Sequence, residues 1–285
     1  MVPHREEKAE RVQDRGYRTW VTQDTPVPPT RRPPVADDPA EERRIRKERL
    51  TAGLRILGAR GLTTGIAGHV TVRDPELTDH FWVNPYRVPF TRIRVSDLLL
   101  VDREGRVVEG TERVNAAAFA IHAAVHEAFP HLNAAAHSHA PNGRPWSATG
   151  RFVEMTSQDA CAFFETQVLF ERFSGVVLDP EEGRRIAAAL ARPTPWPEGN
   201  KVAILENHGI LTVGETVDEA VFWFVLYEDL CGDQLRLEAT NRPYRVLDDA
   251  VAELTRAQTG THYAGWASFQ SLYAEIVADQ PDLLD

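Results

Sequence analysis

The chain has 285 residues, 42% of them apolar, and a net charge of −10 with a pI near 5.5. That length suits one α/β domain of about 200–250 residues with tails. The acidic balance argues against nucleic-acid partners, which need concentrated positive charge to displace counterions.

Residues 1–40 read as an arm. Seven prolines (Pro3, Pro26, Pro28, Pro29, Pro33, Pro34 and Pro39) stand among charges with few aliphatics. Such a stretch buries too little surface to offset its ordering entropy, so it is expected to be disordered or to lie along a neighbouring subunit. It contains no apolar stretch of the kind a secretory signal needs. The longest apolar runs, such as Ala220 to Leu226, fall far short of the roughly 20 residues of a bilayer span, so no membrane is expected. With Cys161 and Cys231 the sole cysteines and no signal visible, free thiols in a reducing cytoplasm are expected.

A main domain is expected over 41–240. Ile45, Leu50, Leu54 and Leu57 fall at helical spacing between Glu41 and Arg60, and Gly61 ends the helix. Short apolar or alternating runs at 69–72, 81–83, 98–101 and 106–108 predict strands of a small, mainly antiparallel sheet. The alanine-rich stretch from Val114 to Phe129 predicts a helix closed by Pro130. Asp179, Pro180 and Glu182 open a second helix, to Ala191. A proline-rich loop follows to Asn200, then strands at 202–205 and 210–213. Thr216, Asp218 and Glu219 start a long helix that runs to Ala239. Residues 241–285 form a helical extension, one or two helices with a break near Gly260.

His137-Ser138-His139 places two imidazoles at i and i+2, which an extended segment presents on one face. A third ligand must come from elsewhere, and the candidate is His208, where a strand ends at Gly209. Three neutral imidazoles leave a coordination position open for water or substrate. Taken alone, an HxH in a chain with ten histidines arises easily by chance.

Further stretches carry a resemblance: Gly68-His69-Val70-Thr71-Val72-Arg73, Pro130-His131-Leu132-Asn133 leading into Ala134-Ala135-Ala136-His137-Ser138-His139, and Asn207-His208-Gly209 followed by Val213-Gly214. In order and spacing they resemble the class II aldolase/adducin family, from about Glu41 to Leu237. The resemblance implies a three-layer α/β/α sandwich around a mostly antiparallel central sheet. It implies that His137, His139 and His208 hold one divalent metal ion, Zn2+, Fe2+ or Mn2+. It also implies a homotetramer with active sites at subunit interfaces.

Departures from the family pattern narrow the chemistry. Sugar-phosphate aldolases of this family open the helix before the HxH with Ser-Ser-Glu, for phosphate binding and acid/base work. The aligned residues are Ala116, Ala117 and Ala118, whose methyl groups neither donate to phosphate nor move protons. A phosphate-contacting Asn becomes His69, and a Thr-Gly turn aligns with Tyr86-Arg87. The phosphate site looks dismantled. Glu112 and Asn115 stand close by without matching the aligned positions. His69 is the candidate catalytic residue, and Asn84, Tyr86 and Arg87 are candidate substrate-binding residues. His122 and His126, at i and i+4, are read as structural, Cys161 as a core thiol, and the aromatics Phe163, Phe164, Phe222, Trp223 and Phe224 as core.

The leading expectation is a metal-dependent C–C lyase, a decarboxylase or aldolase-type enzyme acting on a small non-phosphorylated oxo, hydroxy or aromatic carboxylic acid. Decarboxylation fits the missing Glu, because losing carbon dioxide needs no base at the start. One alternative is a non-haem iron(II) oxygenase that oxidatively decarboxylates an aryl 2-oxo acid, as a subgroup in aminocoumarin biosynthesis does. The other is a non-catalytic adducin-like scaffold, which the three retained histidines disfavour.

Overall fold

The structure, a computed structural model, describes residues 26–27, 31–171, 173–175 and 179–285, without the side chains of 116–118. Most of the expected arm and the run Ala116-Ala117-Ala118 thus lie wholly or partly outside the described residues. The described part of the arm runs against the chain's own C-terminal helices. Gln258 donates to the Pro26 carbonyl at 2.8 Å, and the Arg31 guanidinium sits 5.6 Å from the Tyr263 ring.

Helix α1 (Pro39–Ala59) begins where Asp38 accepts from the backbone N–H groups of Ala40 and Glu41, with Pro39 in the first turn. The strands are β1 (Gly68–Arg73), β2 (His80–Val83), β3 (Leu99–Asp102), β4 (Val107–Glu109), β5 (Ala134–Ser138), β6 (Gln167–Phe170), β7 (Val202–Leu205) and β8 (Gly209–Gly214). They form one eight-stranded sheet in the order β4-β3-β2-β1-β5-β8-β7-β6. Every neighbouring pair is antiparallel except β6–β7, which is parallel.

Two cores divide along the faces of this sheet. On one face Val70, Val72, Ala134, Ala136, Ile204 and Ile210 pack with Leu50, Leu54 and Leu57 of α1 and with α6 (Val217–Ala239). On the other, Ala135, Ala203, Leu211 and Val213 pack against α2 (Ala116–Ala128) and α5 (Pro180–Leu190). The result is the expected α/β/α sandwich. The short helices α3 (Gly143–Ser147) and α4 (Gln158–Cys161) fill the connection from β5 to β6.

Strand β6 and these two short helices were not anticipated. Gln167 to Phe170 is only four residues long and carries no turn signal, so local pattern says little. Its pairing with β7 decides it.

Two C-terminal helices, α7 (Asp249–Thr259) and α8 (His262–Asp279), break at Gly260. A side chain there would lie 2.5 Å from Arg256 Cδ and 2.7 Å from the Ala162 carbonyl oxygen. Buried charges tie this pair to the domain. Lys201 donates from Nζ to the carbonyls of Ala162 and Gly260, and Arg256 pairs with Glu198 at 2.9 Å. His262 Nδ1 lies 2.8 Å from Oε1 of the buried Glu219, which also accepts from Trp223 Nε1 at 2.9 Å. Among the described residues no helix is long and apolar enough to cross a membrane.

Burial alone would lower the His262 pKa, but the Glu219 carboxylate, with Glu215 and Glu198 behind it, outweighs that and raises it. A raised folded-state value stabilises fully below the unfolded value and loses that stabilisation as pH rises through the folded one. The stability difference between wild type and His262→Gln is therefore largest below about pH 6.5. It shrinks in alkaline solution. Denaturant unfolding of both proteins across this range measures it, and a pH-independent difference would refute the ion pair.

Candidate metal centre

The centre of the sheet builds the site. In β5, His137 points to the α2 face, and His139 follows one residue past the strand's end. His208 enters from the tight hairpin between β7 and β8, where Leu205 pairs with Gly209. Asn207 occupies the left-handed region at φ 56°, which asparagine tolerates better than most residues. Gly209, at φ 152°, passes close to His137, whose Cε1 would lie 3.6 Å from a Cβ at residue 209.

The three rings converge. Their centroids are 5.3 Å (137–139), 4.7 Å (137–208) and 5.0 Å (139–208) apart. One nitrogen of each lies within 4.8 Å of those of the other two. His137 Nδ1 donates to the Ile210 carbonyl at 2.7 Å. That bond leaves Nε2 as the bare nitrogen, and it is buried with no hydrogen-bond partner.

Electrostatics keeps the rings neutral. Burial, then His208, His69 and His139, pushes the His137 pKa well below the ordinary histidine range. Burial and His139 bring His208 down to about 4, and burial with the nearby Arg144 lowers His139. Neutral imidazoles are the form that binds a cation. The orphaned Nε2, the converging lone pairs and the half-exposed His139 and His208 fit one divalent ion with a face open to solvent.

The other candidate residues divide. His69 pairs directly opposite His137 in the β1–β5 register, with rings 5.2 Å apart, and both its nitrogens are buried without partners. Its pKa is driven well down by burial and by His122, His208 and His139. Asn84 is buried, and its side-chain oxygen accepts from the Val70 N–H at 3.2 Å, which commits it to the β1 backbone. Tyr86 donates its backbone N–H to the Arg113 carbonyl at 2.8 Å. Arg87 is exposed at φ 69°, its guanidinium 5.1 Å from the Tyr86 ring. None of these contacts reaches the histidines. Cys161 is a buried free thiol whose pKa burial pushes up to about 11, as expected of a core thiol.

His122 and His126, read from the sequence as structural, are buried against β1, and the sequence did not show their place beside His69. The structure packs His122 edge to face against His69 at 4.2 Å, with His126 close behind. The available signal was Thr71, two residues from His69 and so on the same face of β1.

Comparison with known proteins identifies the family. The family profile described as Class II Aldolase and Adducin N-terminal domain matches residues 48–235. Decarboxylase NovR of Streptomyces niveus is 43% identical over 255 residues, 89% of this chain and 92% of the relative. The 4-hydroxy-3-prenylphenylpyruvate oxygenase/4-hydroxy-3-prenylbenzoate synthase of Streptomyces roseochromogenus subsp. oscitans is 42% identical over 255 residues, 89% of each chain. Among solved structures, L-fuculose 1-phosphate aldolase from Glaciozyma antarctica PI12 superposes with a TM-score of 0.80 at 37% identity, covering 89% of this chain and 97% of the other. The chain belongs to the class II aldolase and adducin family, and it is an enzyme of that family.

The strained turn carries His208, so Asn207→Val is expected to destabilise the protein by about 1–3 kcal/mol. Asn207→Gly should be tolerated. Chemical denaturation of the two variants distinguishes a conformational role, which this pattern supports, from a loss of side-chain contacts, which would penalise both.

Proposed function

We propose that His137, His139 and His208 hold one divalent metal ion, and that the protein decarboxylates a non-phosphorylated oxo, hydroxy or aromatic carboxylic acid. The observation that carries this reading is the neutral histidine triad faced by His69, where phosphate-binding relatives present a polar cradle. A bound ion would supply Lewis acidity toward substrate oxygens as the C–C bond breaks. His137 is held for this by its bond to Ile210, and the lowered pKa values keep all three lone pairs free. His69 stands beside the triad as the group that handles the proton the product needs.

The covalent structure of Ala116, Ala117 and Ala118 offers no hydroxyl and no carboxylate at the aligned aldolase positions. The likeness to a sugar-phosphate aldolase therefore extends to the fold and the histidines. Asn84 is engaged by the β1 backbone, which leaves Tyr86 and Arg87 as the candidate substrate contacts, in a site that subunit assembly would complete. Exposed apolar residues at the mouth support such assembly. Phe173 is 52% exposed with its ring 6.3 Å from that of His208, and Ile66 is 55% exposed in the turn where Thr64 donates to the His139 carbonyl. A homotetramer with shared sites is the assembly we infer, in a cytoplasm that suits two buried free thiols.

A second reading is favoured by one relative. The 42%-identical protein named as a prenylphenylpyruvate oxygenase points to dioxygen chemistry, for which iron(II) on the three imidazoles would be the fitting ion. Three imidazoles do not discriminate among zinc, iron and manganese.

One experiment separates these readings. The protein is purified without oxygen, its metal measured, and 4-hydroxy-3-prenylphenylpyruvate and simple hydroxybenzoic acids are supplied. Carbon dioxide release that needs metal and consumes no dioxygen is expected. Stoichiometric dioxygen uptake with iron would establish the oxygenase instead, and inactivity toward all these acids would refute both. His208→Ala should lose the metal, and a variant with full metal content would show the ligands to be others. L-fuculose 1-phosphate should be cleaved at least about 100-fold more slowly than any accepted acid, given the missing acid/base.

A further inference from the structure

Thr71 and His69 share one face of β1, under α2. The Thr71 hydroxyl meets two imidazoles from that helix. Its Oγ1 lies 2.7 Å from His122 Nδ1 and 2.8 Å from His126 Nε2. Both rings are 1% exposed. Burial, with His126 and His137 adding to it at His122 and Arg73 at His126, holds both in the neutral form.

A neutral imidazole has one N–H and one lone pair, and a hydroxyl has one proton to give. If Thr71 donates to one ring, it accepts from the other. Suppose it donates to His122 Nδ1. Then the His122 proton sits on Nε2, and His126 donates from Nε2. In the reverse case His122 donates from Nδ1, and His126, accepting at Nε2, carries its proton on Nδ1. Either way the two rings share one tautomer, because they meet the hydroxyl through different nitrogens.

The pair also touches the metal centre through ring packing. His122 is edge to face with His69 at 4.2 Å, and its Nε2 is buried without a hydrogen-bond partner. His137 is fixed by Ile210, and His122 and His126 by Thr71. His69 lies between these two fixed groups with both nitrogens unpartnered.

We propose that Thr71 and His126 are positioning residues: the Thr71 hydroxyl locks His122 and His126 into one shared tautomer and thereby holds the His122 ring against His69. No bond is made or broken in this device; it decides where protons rest on His122 and His126 and how His122 packs. Its effect on turnover rests on the decarboxylase reading above, whereas the tautomers do not.

The test is ring-nitrogen spectroscopy of the full chain labelled with 15N-histidine, each signal assigned by single substitution. In the wild type, His122 and His126 should both be Nδ1–H or both Nε2–H. A mixed pair overturns the proposal without recourse to any variant. In Thr71→Val the pair should lose its shared state and the His69 ring signals should shift, while Thr71→Ser keeps the wild-type pattern. Unmoved His69 signals in a folded Thr71→Val protein would refute the second half of the proposal. With an accepted acid, Thr71→Val should lower kcat roughly tenfold at unchanged KM, and serine should restore it. If the spectra behave as stated and no acid is decarboxylated, the functional reading fails and this one stands.

Discussion

One hydrogen bond organises the centre of this protein: His137 Nδ1–H to the Ile210 carbonyl, across β5 and β8. It exists because β5 runs antiparallel between β1 and β8, so that one register sets His69 opposite His137 and another sets Leu211 there. The bond fixes the ring's orientation and its tautomer together. A buried imidazole that kept Nδ1 bare would present the wrong nitrogen to its neighbours. The alanines at 134–136 make the arrangement possible. They are poor strand formers by propensity, yet they are fully buried between helices on both faces, where larger side chains would hold the layers apart.

The cluster is costly in isolation. His69, His122, His126 and His137 are all buried, and several of their nitrogens meet no protein acceptor or donor. A buried unsatisfied polar atom costs about 1–3 kcal/mol. Natural cores carry few such atoms, and they concentrate where a ligand completes the site. Each of these rings has a lowered pKa, so in acid the unfolded chain binds protons that the folded one refuses. His262 acts in the opposite sense at the far side of the sheet, where carboxylates surround it. One residue type thus destabilises the acidic state at the centre and supports it at the periphery. The difference lies in whether a carboxylate stands close enough to outweigh the cost of burial.

The sequence made much of this legible. Helical spacing located α1, the capping residues Thr216, Asp218 and Glu219 located α6, and Gly260 marked the break between α7 and α8, because capping and glycine chemistry are local. The three histidines were legible through i, i+2 spacing and family resemblance together; neither alone reaches across the 68 residues between His139 and His208. What local pattern could not supply was lateral pairing. Strand β6 exists because β7 lies beside it, and Asn84 is absorbed by β1 because β2 is its neighbour. The i, i+4 pair His122 and His126 reads as structural from the sequence, and the sheet supplies the hydroxyl that lies between the two rings.

The same reasoning explains how a chain can superpose so well on a sugar-phosphate aldolase and still point to other chemistry. The sheet register and the β7–β8 hairpin carry the three imidazoles, and these are backbone properties that survive divergence. Phosphate recognition depends instead on hydroxyl and amide groups projecting from the start of α2 and the loops around β1 and β2. Those positions hold alanine, histidine and an exposed arginine here. Side chains can change there without disturbing the register. A fold fixes where a cation can sit, and the surrounding side chains decide what may approach it. In this protein the surroundings are a buried row of neutral imidazoles and an apolar mouth. Such a lining offers a dianionic phosphate few hydrogen-bond donors in exchange for its hydration.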